Sequence, residues 1–103
     1  MKWTLVHYRT RPDQADENQR LSAKVFSELQ EKAPNGLRYA VFRLPDDTFI
    51  HLASIEDGAA PLSSFETFRT FSGSVRERCA EPPVAAPPTI VGNYGMLAPD
   101  KNR

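Results

Sequence analysis

Two histidines, three tyrosines and one cysteine are the residues of this chain best suited to chemistry. Imidazole has an ordinary pKa near neutrality, so His7 and His51 are each candidate general bases. Both fall in runs rich in β-branched and aromatic residues, where alternation decides the face. His7 shares a face with Trp3, Leu5 and Arg9, and His51 with Phe49, Ala53 and Ile55. Register between the two runs does not follow from sequence, so whether the imidazoles meet stays open. So does the choice between a pocket base and a buried histidine bonded to backbone or to a partner copy. Two histidines without a third ligand at suitable spacing predict no metal site.

Tyr8, Tyr39 and Tyr94 read as strand tyrosines, each a large apolar body with one polar tip. They either orient a phenolic or quinone-like ligand or simply pack with the hydroxyl at an edge. Asn93, between Gly92 and Tyr94, reads as an amide in a strand core, where it needs partners: a ligand, or the sheet itself. Arg9, Arg38 and Arg43 lie in strands and suit either an anionic group or an interface rim. Cys79 continues an apolar helical stripe, where free cysteine behaves as a small hydrophobe.

The elements that must position these residues alternate along the chain. Residues 3 to 10 predict a first strand, stopped by Pro12-Asp13. A helix follows from 15 to about 32, capped by Asp13 or Asp16, with Leu21, Val25, Phe26 and Leu29 on one face. Pro34-Asn35-Gly36 supplies its left-handed exit. Residues 37 to 44 and 49 to 55 predict a hairpin across Pro45-Asp46-Asp47-Thr48. Ser63 and Glu66 fit a capping box for a second helix. Phe65, Phe68, Phe71, Val75 and Cys79 recur along it, and a break is expected near Gly73. Pro82-Pro83 ends that helix, residues 81 to 88 form a stiff connector, and 89 to 96 make the last strand. Residues 1 to 97 are expected to be one domain and 98 to 103 a polar tail.

Thirteen basic residues balance thirteen acidic ones, which argues against a nucleic-acid partner. No apolar run is long enough to span a membrane. A single cysteine and no signal-peptide pattern fit a cytoplasmic protein. The strands carry apolar residues on both faces, yet two helices cover only one. The other face calls for a second copy of the chain, hence a homodimer.

The order βαββαβ is the ferredoxin-like α+β plan: a four-stranded antiparallel sheet with two helices on one face. Here a strand runs into Tyr8-Arg9-Thr10-Arg11-Pro12 before an acidic helix start. A short hairpin follows, and then a phenylalanine-rich helix at Phe65-Glu66-Thr67-Phe68. Over residues 3 to 97 this layout resembles the dimeric α+β barrel superfamily, and within it the antibiotic biosynthesis monooxygenase-like group. The resemblance implies a pocket in each subunit between helices and sheet. It implies a cofactor-free oxidation of a small aromatic, phenol or quinol-type compound, with His51 or His7 as base and no metal or flavin. Active members of the group often line the pocket with tryptophan, asparagine or histidine. Here the second helix has no tryptophan, and no helix carries a histidine placed for haem iron. Phe65 and Phe68 are the expected apolar wall, with His51 as polar contact and Tyr39, Tyr94 and Asn93 as further ligand-binding candidates. The same chain without catalysis would be a small-ligand-binding or accessory homodimer.

Overall fold

Strand parity sets the two faces of the sheet. In the computed structural model, which describes residues 1–97, β1 (Lys2–Thr10) pairs antiparallel with β3 (Thr48–Ile55). β2 (Leu37–Arg43) pairs antiparallel with the other side of β3, and the four-stranded order is β2-β3-β1-β4. Val6 lies opposite His51, Tyr8 opposite Phe49 and Thr4 opposite Ala53. Tyr39 lies opposite Ala53, and Val41 opposite His51. These residues form the inner face. Trp3, Leu5, His7, Ala40, Phe42, Ile50 and Leu52 therefore form the outer one.

Helix α1 (Ala15–Lys32) spans the expected residues, but neither Asp13 nor Asp16 caps it. A 3-10 turn at Pro12–Gln14 runs directly into the helix, because proline presets a helical φ. The two carboxylates go to arginines: Asp16 to Arg43 at 3.0 Å and Asp13 to Arg11 at 3.7 Å. The exit is also earlier than expected. Ala33 takes the left-handed conformation at φ 45°, and its N–H donates to the Leu29 carbonyl at 2.7 Å. Gly36, at φ 79°, serves the next turn.

Helix α2 (Glu66–Ser74) begins after a 3-10 turn at Leu62–Ser64. The Ser63–Glu66 capping box does not form, since Phe65 occupies the cap position. A carboxylate from α1 replaces it. Glu28 Oε1 accepts from the Thr67 N–H at 3.0 Å and from the Thr67 hydroxyl at 2.5 Å. Lys32, 2.6 Å away, and these Thr67 bonds hold the Glu28 carboxyl down to about 2. The break near Gly73 appears as a change to a 3-10 segment at Val75–Arg78.

The last strand corrects the sequence reading. β4 is Cys79–Ala85, pairing antiparallel with β1, so Cys79 opens a strand and does not extend a helical stripe. Pro82-Pro83 sits inside this strand. It is tolerated there because β4 is an edge and its register with β1 slips between His7 and Arg9. Residues 89 to 96 form no strand. The anticipated tail at 98 to 103 lies outside the described residues.

The core lies between the inner face and the helices. Tyr8 and Phe49 from the sheet meet Val25 of α1, Phe71 of α2 and Val75 after it. Both helices thus cover one face.

Candidate functional site

A line of polar side chains crosses this core. On α1, Ala15, Asn18, Ser22 and Val25 are buried at spacings of three and four, so Asn18 sits on the core-facing stripe with no exposure at all. Arg78, three residues after Val75, is likewise buried against α1. Arg78 Nε donates to Asn18 Oδ1 at 2.8 Å, and Asn18 Nδ2 donates to the Tyr8 hydroxyl at 2.8 Å. The Tyr8 hydroxyl lies 2.8 Å from His51 Nε2, and the Tyr39 hydroxyl 2.6 Å from His51 Nδ1. Five side chains from β1, α1, β2, β3 and the end of the α2 region make one connected path. Every link has hydrogen-bond geometry, and no buried side-chain polar atom among the described residues lacks a partner.

Burial governs the electrostatics. It pushes the His51 imidazole down to about 4, so the ring is neutral at pH 7. Burial also raises both Tyr8 and Tyr39 well above the ordinary phenol value, and keeps them protonated. The buried Arg78 guanidinium is met by Asn18, by the Ser74 hydroxyl at 2.7 Å, by the Phe71 carbonyl at 3.1 Å and by the face of the Phe71 ring at 5.1 Å. Burial still lowers its pKa from the usual arginine value.

Beside the path lies a cavity of about 250 Å³ between the inner sheet face and α2. Phe68, Phe71, Val75, Leu62 and Ile55 line it as apolar walls, while Tyr39, His51 and Tyr8 form its polar end. The His51 ring is hemmed in by the rings of Tyr8 and Phe71, each at 5.3 Å, and of Tyr39 at 5.9 Å. Such a space suits a small flat apolar molecule carrying one polar group. Among the described residues there is no group of three histidine, cysteine or acidic side chains arranged for a metal ion.

The expected site residues separate. His51, Tyr39 and Phe68 meet at the cavity. His7 pairs opposite Ile50 on the outer face and is exposed, so the two imidazoles never share a face. Phe65 is buried at the start of α2 beneath Lys32 Nζ at 5.7 Å, away from the cavity wall, because it caps the helix and does not belong to its inward stripe. Tyr94 is fully exposed, and Asn93 uses its Oδ1 to accept from the Met96 and Leu97 N–H groups at 3.2 and 2.9 Å. Both lie in the irregular segment after β4, so neither is a strand residue. Asn18 and Arg78 were not anticipated as site residues. Their signal was positional: each interrupts a buried helical stripe with a polar group, and such a group must find a partner.

No family model and no curated protein matches the chain. Solved structures do. A protein from Nitrosomonas europaea, provisionally named an antibiotic biosynthesis monooxygenase, superposes with TM-score 0.68 at 17% identity, covering 84% of this chain and 94% of that one. Another antibiotic biosynthesis monooxygenase superposes with TM-score 0.68 at 11% identity, over 89% of this chain and all of the other. A third, from Caulobacter crescentus and also provisionally named, gives 0.64 at 12% identity over 82% and 83% of the two chains. The chain thus has the fold of these structures, the ferredoxin-like α+β plan of a four-stranded antiparallel sheet with two helices on one face.

Proposed function

We propose that this protein binds a small aromatic compound of phenol or quinol type in the α2–sheet cavity and oxidises it with molecular oxygen, without metal or flavin. The observation that carries this reading is the cavity itself: apolar walls of phenylalanine and valine, closed at one end by Tyr39 and His51. In the simplest stoichiometry a phenol ring C–H and the phenol O–H give up two hydrogens to O2. One oxygen atom enters the ring as a quinone carbonyl and the other leaves as water. The protein's part is to hold the ring flat against Phe68 and Phe71, exclude water, and meet the substrate oxygen with Tyr39. His51 acts through the tyrosines, since a hydroxyl occupies each of its ring nitrogens.

That same occupancy favours a second reading, ligand binding without turnover. Oxygen uptake decides between them. Purified protein with a panel of hydroquinones and polyphenols should consume oxygen above the uncatalysed rate, and His51→Ala should lose it while keeping its fold. Binding without uptake supports the second reading. Loss of fold and assembly in His51→Ala, with ligand binding per folded molecule unchanged, removes His51 from the site.

The assembly belongs to the same proposal: a homodimer through the outer sheet face. Trp3, Leu5, Ile50 and Leu52 are only partly covered there, and Phe42 and Val84 are about half exposed at 52% and 49%. An apolar sheet face of this extent supports a protein contact there. Sedimentation at micromolar concentration should give twice the chain mass, and a stable monomer would remove the dimer. No helix among the described residues is long and apolar enough to cross a membrane.

A further inference from the structure

We propose that the path Arg78–Asn18–Tyr8–His51–Tyr39 runs in one direction only and ends in a hydroxyl proton offered to the cavity, so that the ligand oxygen placed there is an acceptor, a ketone or quinone carbonyl or a phenolate. The inference rests on the cavity being a ligand site, and it names the chemical form that the site takes.

Direction follows from the donors and acceptors of each group. A guanidinium only donates, so the Asn18 atom facing Arg78 Nε must be the carbonyl oxygen. The Asn18 amide nitrogen then faces Tyr8 and donates to its oxygen. Tyr8 has one proton, and its other close partner is His51 Nε2. If the proton goes there, Nε2 is the bare nitrogen of a neutral imidazole and Nδ1 carries hydrogen. His51 Nδ1 then donates to the Tyr39 oxygen, and the Tyr39 proton remains unused. Tyr39 has no second hydrogen-bond partner among the described residues, and it lines the cavity. The reverse order would make the Tyr8 oxygen accept from both Asn18 and His51. The unused proton would then belong to Tyr8, whose side chain is 3% exposed, and not to Tyr39, which is half-buried. A buried donor left unmade is costly, which selects the first order.

Asn18 and Arg78 are accordingly positioning residues. They touch no ligand and act by fixing the tautomer of His51 two links away. Replacing Asn18 by aspartate keeps the shape and the Arg78 partner but presents an acceptor to Tyr8. The order should invert: Tyr8 donates to residue 18, His51 protonates Nε2, and Tyr39 turns its proton toward Nδ1.

The test combines a ligand-free spectrum with a matched pair of probes. Imidazole 15N shifts of His51 report which nitrogen carries the proton. The expected result is protonation at Nδ1 in the native protein and at Nε2 in Asn18→Asp. Protonation at Nε2 in the native protein overturns the proposal, whether or not the variant folds. In parallel, 1-tetralone and its hydrocarbon counterpart tetralin are titrated against both proteins and against Tyr39→Phe. Native protein should prefer the ketone by roughly three- to tenfold, the size of one net hydrogen bond. Asn18→Asp and Tyr39→Phe should each lose that preference. Protonation at Nδ1 with equal binding of the two probes overturns the ligand class alone. The same spectrum with neither probe bound overturns the cavity reading, and the ligand class with it.

Discussion

Acidification from pH 7 to pH 5 should destabilise this fold through one side chain, His51. In the folded protein burial lowers its pKa from 6.5 to about 4. The unfolded chain takes up a proton as pH falls through 6.5, and the folded chain does not until about 4. Across that window the unfolded state binds more protons, so stability is full above 6.5 and falls as pH drops toward 4. One missing proton is worth roughly 1.4 kcal/mol per pH unit. The loss between pH 7 and pH 5 therefore comes to about 2 kcal/mol, a large part of a small domain's margin. The rings nearest His51 belong to Tyr8, Tyr39 and Phe71, none of which changes charge in this range. Carboxylates whose pKa values are lowered, Glu17, Glu28 and Asp46, weaken the fold only below their ordinary values near 4. Denaturant unfolding at pH 7, 6 and 5 measures the slope. His51→Gln, which keeps polar atoms in place but cannot titrate, should start lower at pH 7 and stay nearly flat. Parallel slopes in the two proteins would refute the buried, neutral imidazole.

Further outcomes follow from the helix ends and the outer face. Ala33→Gly should stabilise by about 1 kcal/mol, because Ala33 holds a left-handed φ of 45° on an exposed exit. Gly36→Ala should do the opposite: its φ is 79°, and an added Cβ would sit 2.9 Å from the Cβ of Ala59. Thermal melts check both. Glu28→Ala should lower stability by leaving the first turn of α2 without its cap, and the loss should appear as faster amide exchange at Thr67. Phe42→Asp should leave the inner core intact yet give a monomer in sedimentation; an unchanged dimer would remove the outer face as the interface.

Local patterns carried most of the architecture. The β-branched and aromatic run over 3 to 10, the 3–4 stripe of Leu21, Val25 and Leu29, and the Pro45-Asp46-Asp47-Thr48 turn each depend on neighbours in sequence, and each matches an element of the structure. Asp46 bonds the Thr48 N–H at 3.0 Å, as a turn aspartate should. The pattern failed where partners lie far away in the chain. A capping box was legible at Ser63 and Glu66, but Glu28, nearly forty residues upstream, reaches Thr67 first. Pro82-Pro83 read as a terminator because nothing local says that a strand is at an edge. Only the order β2-β3-β1-β4 makes those prolines harmless, and it displaces the last strand from residues 89 to 96.

The candidate site divides in the same way. Residue type named His51 and Tyr39 alongside His7, Tyr94, Asn93, Phe65 and Phe68, and strand parity separated the faces within each strand. The register of β1 against β3 decided that His7 points away from His51, since a shift of one residue would have reversed it. Asn18 and Arg78 are sixty residues apart, and their 2.8 Å bond exists only because α1 and the end of the α2 region pack on the same face of the sheet. Sequence determines which side chains are polar and which face of their own element they occupy. Tertiary packing decides which of them meet out of water, where each must take the other as its partner.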